Sequence, residues 1–523
     1  MRAGFHKLMT YTVCCAWILC GMLCVRTAHT SEAVGAQTLP FDEDVRWSLQ
    51  SLPSSIDNLD WRSLDRWYIL TQVFDTLVTY DASQNLIAAL AETWHVSSDR
   101  LTYTFKLRSD AKFSNGRALQ ANDVAYSLKR YLCVQKNALL AQAIQGADTL
   151  HTVDDSIAGI RVIDETNLEL HLRFPLENIW SFLSMPFSGG IVAKESIDPA
   201  TLKMHPPFIT SGAYGIAEAN PTHYRLIANR YYYRFTNNMP MTVGFYRHQD
   251  ASEALNWFLA ARTNFYSVLD PFQKVGAQTL SRYHSIAYPY HRIGFLYLNA
   301  AHGILQKKEV RAAIRQSLAP SALAAWPNSW LHWDNNFFPI GTIGHISENI
   351  NTAGGPLSKA SLTESMELLL EEGVETNEVA DLLRKRLAAL GITLQCVYLP
   401  KHEIAERFSH GNFTMGFTSV GLPMVDHSLG LYLYFIENPP YFKDPTNRIH
   451  NFFQQLIRTN DVQERRNFLE AISQQIADDA VIVPVYHSAV RYVVSDNLDI
   501  AHLTMYRTDI QLANIRLQHT TDK

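Results

Sequence analysis

The chain has 523 residues, 47% of them hydrophobic and 18% charged, with 45 Lys and Arg against 50 Asp and Glu for a formal net charge of -5. A length prior of about 150 residues per unit gives three or four units, and a chain of this size buries enough surface to hold its core without metal or disulfide. The charge balance excludes the basic face of a nucleic-acid binder, and high apolar content with little net charge excludes a disordered chain.

At the N-terminus, Arg2 and Lys7 precede an apolar run from Leu8 to Val25. A short positive segment, an apolar stretch and then small residues form the pattern of an export signal. Residues 1–36 are predicted to be that signal, with cleavage after Val34-Gly35-Ala36 and a second suitable site at Ala28-His29-Thr30. The run is also close to the ~20 residues that span a bilayer, so a lipid-processed or uncleaved anchor is the competing reading. Cys14, Cys15, Cys20 and Cys24 all lie within it. Cys20 and Cys24 lack the small residues that precede a lipid-attachment cysteine, so all four are read as small hydrophobes. Only Cys133 and Cys396 follow, far apart, and no disulfide framework is expected.

Further along, Leu101-Thr-Tyr-Thr-Phe-Lys-Leu107 and Asn167-Leu-Glu-Leu-His-Leu-Arg-Phe174 alternate apolar and polar residues, as half-buried strands do. Asn115-Gly116 marks a tight turn between them. Ser361-Leu-Thr-Glu364 reads as a capping box opening a helix through Met366, Leu369 and Leu370, closed by Gly373. Val379, Leu382, Leu383, Leu387 and Leu390 line one face of a second helix, with Gly391 after it. Ile392 to Tyr398 is then a strand, Asp461-Val-Gln-Glu464 caps another helix, and Val481 to Tyr486 is an apolar strand. Helices and strands in this order indicate α/β layers, and no repeat of about 20–50 residues points to a solenoid or propeller.

Chemical signatures are missing. The chain has no phosphate-binding Gly-rich loop and no Gly-x-Ser-x-Gly elbow. His402-Glu403 lacks the second histidine of a zinc-protease helix, and the other histidines are scattered. Neither a catalytic residue nor a metal ligand nor a cofactor is therefore assigned. Aromatic residues are the positive signal, with clusters at Trp61-Trp67-Tyr68, Tyr231-Tyr232-Tyr233, Tyr288-Tyr290, Trp326-Trp330-Trp333 and Tyr432-Tyr434. Rings with a polar tip suit the recognition of varied ligands, although core packing is the commoner use.

Five blocks occur in order: Phe74-Asp-Thr-Leu-Val-Thr-Tyr-Asp81, Leu90-Ala-Glu-Thr-Trp94, Leu101 to Arg108, Lys112-Phe-Ser-Asn-Gly116 and Asn122-Asp-Val-Ala-Tyr-Ser-Leu128. Ser211-Gly-Ala-Tyr214, Arg292-Ile-Gly-Phe-Leu-Tyr-Leu-Asn299 and Val310-Arg-Ala-Ala-Ile314 follow. Over roughly residues 45 to 500 the chain resembles the family 5 extracellular solute-binding proteins, the oligopeptide- and dipeptide-binding subunits of ABC importers. The resemblance implies an α/β fold of two lobes, of the class II periplasmic-binding-protein type, with an extra domain and a ligand cleft between the lobes. It implies a signal at 1–36, a first lobe from 37–70, 190–288 and 492–523, an extra domain at 71–189 and a second lobe at 289–491.

The family's peptide binders carry a Trp-x-x-Asp segment whose aspartate holds the peptide α-amine. Here the matching stretch is Ser419-Val-Gly-Leu-Pro-Met-Val-Asp426-His427, without the tryptophan and with Pro423 in the aspartate's register. Asp426 fills the role only with a three-residue shift of the loop. Ser51, Leu52, Pro53, Tyr126, Tyr214, Met424, Asp426 and His427 are the ligand contacts that the resemblance implies. The expected function is capture of a small peptide by an exported monomer for the permease subunits of an ABC transporter. Alternatives are a binder of a metal chelate, haem or other solute on the same fold, and a receptor or adhesin that transports nothing.

Overall fold

The computed structural model describes residues 39–518 apart from 61–63, 82, 84, 269–281, 321–330, 347–363, 372–373, 422–426, 433–446, 460, 502, 504 and 507–508. The export signal expected at 1–36 lies outside the described residues. Among the described residues no helix is long and apolar enough to cross a membrane.

Eleven strands join in one sheet: β1 Val45–Leu49, β2 Tyr214–Ala219, β3 His223–Ala228, β4 Thr242–Arg247, β5 Phe265–Val268, β6 His284–Leu298, β7 Leu331–Trp333, β8 Glu364–Glu371, β9 Ile392–Leu399, β10 Met415–Gly421 and β11 Ile482–Val494. Their order across the sheet is β9-β8-β10-β6-β11-β5-β1-β4-β3-β2, with β7 paired to β11. Residues between β1 and β2 build a second, four-stranded antiparallel sheet from Ala91–Val96, Thr102–Leu107, Asn167–His171 and Ile160–Val162. Its predicted alternation holds: Tyr103, Phe105 and Leu107 are buried, while Lys106 faces solvent. Asn115-Gly116 makes the expected turn, with Gly116 at φ 84 and its amide donating to the Phe113 carbonyl at 2.9 Å.

Trp47 on β1 is fully buried and packs 4.4 Å from both Tyr68 and Phe265. Tyr68 lies on helix α1, Leu64–Val73. The predicted cap at Asp461 also holds: its carboxylate accepts the Glu464 amide at 2.8 Å and opens α5, Val462–Asp479, the fifth helix named here after α2 Ala121–Val134, α3 Val374–Ala388 and α4 His427–Leu431. The half-buried thiols Cys133 and Cys396 are free.

One expectation is corrected. The helix expected over 361–373 is the strand β8, parallel to β9 through eight residue pairs from Glu364↔Ile392 to Glu371↔Leu399. Leu368, Leu369 and Leu370 are all fully buried, so both faces of β8 are covered. A strand buried on both faces reads as a continuous apolar run, and a short run of that kind has the same periodicity in helix and strand. Parallel neighbours cannot be joined by a hairpin, and α3 supplies the crossover that returns the chain to β9.

The segment after β1 is tied to α2 by a buried ion pair. Arg130, 1% exposed, donates from Nη2 to both Asp57 carboxylate oxygens at 2.6 and 2.7 Å, from Nη1 to Asn58 Oδ1 at 2.7 Å, and from Nε to the Leu202 carbonyl at 2.8 Å. Met204 donates its amide to Asp57 Oδ2 at 2.9 Å, and the Asn58 amide donates to the Pro186 carbonyl at 3.0 Å. Four separate segments therefore meet on one guanidinium and its partners. Removing one member of a buried pair strands the other charge, so Arg130→Ala is expected to lower unfolding free energy by about 3–5 kcal/mol. Urea denaturation checks this, and a loss below about 1 kcal/mol, the level of an exposed pair, would contradict it.

Candidate ligand-binding cleft

Strands β6 and β11 are the longest of the sheet and belong to both of its halves. On one side, β11 pairs with β5 from Val494↔Phe265 to Arg491↔Val268. It then pairs with β7 from Ser488↔Leu331 to Tyr486↔Trp333. On the other side, β6 takes up β10 only from Arg292↔Gly421 onward. Among the described residues, the sheet around Ala489 and Val490 is thus two strands wide. The β6–β11 register shifts between Tyr288 and Arg292 and again between Gly294 and Phe295. Irregular pairing bends and twists strands locally, and here it coincides with the narrowing. At Gly294 the Tyr486 ring is so close that a Cβ would meet it at 2.4 Å.

Side chains from both halves converge on this narrowing. Arg292 Nε donates to Ser419 Oγ on β10 at 3.0 Å. The guanidinium also acts on Tyr68, whose hydroxyl shares a 2.7 Å hydrogen bond with Tyr492 on β11. Burial, the Tyr492 hydroxyl and Asp65 together push the Tyr68 hydroxyl well above its ordinary range, against the pull of Arg292. Asp65 accepts the Ser51 amide at 2.7 Å and the Ser51 hydroxyl at 3.0 Å, which fixes the chain as it leaves β1. Pro53 is buried, and its carbonyl accepts the Tyr224 hydroxyl.

Of the expected contacts, Ser51, Leu52 and Pro53 lie together where the chain leaves β1. Tyr126 lies on α2 in the cluster with Val153 and Val192, with Lys194 Nζ 5.5 Å from its ring. Tyr214 begins β2 at the far edge of the sheet, fully buried, with its hydroxyl donated to the Pro240 carbonyl at 3.1 Å. The structure does not bring these two to the narrowing. Met424 and Asp426 lie outside the described residues, as does the side chain of His427, which opens α4. Tyr68 stands in one of the aromatic clusters, and Arg292 and Ser419 stand in the blocks of the resemblance without being named as contacts, whereas Asp65 and Tyr492 were not singled out from the sequence. The available signal was Arg292, a charge directly before the apolar run Ile293 to Leu298 of β6.

Among the described residues no group of three or more His, Cys, Asp or Glu is placed to hold a metal. The nearest arrangement is Asp334, whose Oδ2 lies 3.0 Å from His345 Nε2 and 3.6 Å from His487 Nδ1. Burial works to raise this carboxyl, but the two histidines outweigh it and hold it well below the carboxylate range.

A second junction links the small-sheet region to the chain before α5. The Glu177 amide donates to the Ile457 carbonyl at 3.4 Å, and Arg458 stands 4.9 Å over the Phe174 ring. The Tyr432 hydroxyl reaches the Asn137 carbonyl at 3.5 Å. An apolar cluster runs through Leu172, Leu176 and Ile179 to Ile449, Phe453 and Ile457.

The sequence profile of the bacterial extracellular solute-binding proteins, family 5 middle region, matches residues 85–441, well over half of the chain. The chain belongs to the family 5 extracellular solute-binding proteins. Dipeptide-binding protein DppE of Bacillus subtilis is 27% identical over 172 residues, 32% of this chain and 31% of the relative. Di/tripeptide-binding protein 2 of Pseudomonas aeruginosa is 37% identical over 121 residues, 22% of each chain. The first curated relatives are matched over only 22% to 51% of their length. Solved structures are covered almost entirely. The dipeptide binding protein of Pseudoalteromonas sp. SM9913 in complex with Met-Leu superposes at a TM-score of 0.76 and 15% identity, over 91% of this chain and 100% of that one. Haemophilus influenzae OppA with RPPGFSPFR gives 0.74 at 16%, over 90% and 98%. NikA of Brucella suis with Fe(III)-EDTA gives 0.72 at 18%, over 91% and 99%. At these identities the likeness establishes the fold, a two-lobed α/β binding protein, as expected from the sequence.

In a family 5 fold the second junction favours the arrangement in which it forms. Arg458→Ala removes a cation–π contact worth about 0.5–1 kcal/mol at an exposed site, so affinity for a captured ligand should fall about two- to fivefold. Stopped-flow measurement should place the change in the dissociation rate. An unchanged dissociation rate would show that the junction does not bias closure.

Proposed function

We propose that this chain captures peptides outside the cytoplasmic membrane and presents them to the permease subunits of an ABC importer. The observation that carries the reading is a family 5 sequence match on a two-lobed fold whose central sheet, among the described residues, narrows to two strands. Such a joint permits hinge closure around a ligand, and closure gives a transporter a ligand-dependent shape to recognise. Relatives named as dipeptide- and di/tripeptide-binding proteins support the peptide class. The charged, apolar start of the chain supports export. Binding without chemistry agrees with a sequence that carries no catalytic signature.

In this reading, residues 37–70, 190–288 and 492–523 form the first lobe, 71–189 the extra domain and 289–491 the second lobe. The ligand lies against Ser51 to Pro53 on one side and the 419–427 segment on the other. A buried peptide α-amine needs an anion, and Asp426 is the only carboxylate among residues 419–427. A second reading, a non-peptide solute, is favoured by the missing tryptophan of that segment and by a neighbour solved with Fe(III)-EDTA.

Calorimetry with Met-Leu and its N-acetylated form tests the proposal. The free peptide should bind and, at a hundredfold excess over Kd, stabilise the protein by about 2.7 kcal/mol. Acetylation and Asp426→Asn should each weaken it by about 3–5 kcal/mol, the cost of breaking a buried pair. Equal affinity for both forms would remove the amine from the reading. No stabilisation by any member of a di- to pentapeptide library would contradict peptide capture.

A further inference from the structure

The outer strand of a sheet presents a row of unpaired backbone groups that another chain can pair with, so proteins keep such edges short, charged or irregular. The far edge of the large sheet is guarded in this way, because β2 carries Glu218 and a register shift between Ile216 and Glu218. Both edges of the small sheet are guarded too. Ala91–Val96 carries Glu92 and a register shift between Ala91 and Thr93, and Ile160–Val162 is three residues long with Arg161 at its centre.

Strand β9, at the other end of the large sheet, has none of these guards. Its eight residues, Ile392-Thr-Leu-Gln-Cys-Val-Tyr-Leu399, include no charge and no proline, and its register with β8 is unbroken from Ile392 to Leu399. Among the described residues, its backbone bonds to β8 alone. Leu394, Cys396 and Tyr398 pack against the apolar cluster of Leu368 and Leu370, while Val397 and Leu399 pack against that of Leu369. All five stay only half-buried, and Thr393 and Gln395 are exposed. Arg384, which reaches Cys396 and Tyr398 from α3, is itself paired with Asp381 at 2.7 Å. An open ladder eight residues long, flanked by half-covered apolar side chains, suits the addition of another strand.

We propose that β9 pairs antiparallel with β9 of a second copy of this chain, so that the sheet continues across a dimer in place of the expected monomer. The strand favours its own copy because it is uncharged: it offers nothing to a charged partner and sets no like charges opposite each other on facing itself. Twofold pairing uses one patch twice and closes as a dimer. The axis then stands normal to the sheet and passes beside Gln395 or Cys396 when the overlap is greatest. In either register the two Cys396 lie on one face, directly opposite or diagonal, with Cα atoms about 4.5–8 Å apart, and so do the two Gln395. The dimer does not depend on what the cleft binds.

Size-exclusion chromatography with light scattering on the purified protein should give twice the mass of one chain at about 100 µM. A short bis-maleimide should join two copies, and Cys396→Ser should abolish that product. Gln395→Lys, at an exposed position, sets two ammonium groups near the axis and should raise the dimer dissociation constant about tenfold or more. Gln395→Glu should do the same, and it carries the test if the lysine variant fails to fold. Mixing the two variants should restore the dimer, because opposite charges then face each other. A single-chain mass in the wild type at that concentration, a dimer that neither substitution weakens, or a dimer that no bis-maleimide joins through Cys396 would overturn the proposal.

Discussion

The two-strand crossing of β6 and β11 is the constraint on which the rest of the structure depends. An eleven-stranded sheet is held by ladders of backbone hydrogen bonds, and a wide sheet resists bending because many ladders must deform together. Around Ala489 and Val490 one ladder remains among the described residues, and its register is already shifted there. In the proposed reading, bending at that place disturbs few contacts, with β8, β9 and β10 on one side and β1 to β5 on the other as the packed bodies. The same strands carry Arg292 and Tyr492 to the joint, so the flexible point and the polar groups beside it come from one feature of topology.

The second junction opposes that freedom. Glu177 to Ile457 is a long hydrogen bond, Arg458 over Phe174 an exposed cation–π contact, and only the apolar packing beneath them is extensive. The polar contacts alone bias a two-state equilibrium by factors of a few, and the apolar packing adds to them. A ligand that bridges the halves then has room to decide the outcome. The Arg130 network is the contrasting case, because its charges are buried and each is fully engaged, so it fixes the region after β1 instead of letting it move.

The sequence showed the local elements well where a single periodicity applied. Thr102 to Leu107 alternates because one face of its sheet is buried, and Asp461 caps its helix because the first amides of a helix need an acceptor. It misled at Leu368 to Leu370, where burial on both faces erases the period that separates strand from helix. The crossing itself was invisible. Only Val481 to Tyr486 was read as strand, whereas β11 runs on to Val494, and its continuation through Arg491 owes its pairing to β5 and β6, distant in sequence. Among the described residues, rings of two aromatic clusters pack into core, Tyr68 on Trp47, Trp67 on Phe187 and Tyr432 on Phe453, while Tyr231 is exposed. For the site, Ser51 to Pro53 are placed beside Asp65, while Tyr214 was chosen for a motif whose hydroxyl turns out to brace a loop at Pro240.

Small-angle scattering with and without a bound peptide tests the hinge most directly. A compact chain of 523 residues has a radius of gyration of about 24 Å, and opening at a two-strand joint raises it. Saturation with a peptide shown by calorimetry to bind should reduce the radius of gyration, and the compact form should match the arrangement in which Arg458 covers Phe174. Binding with an unchanged radius of gyration would contradict closure about β6 and β11.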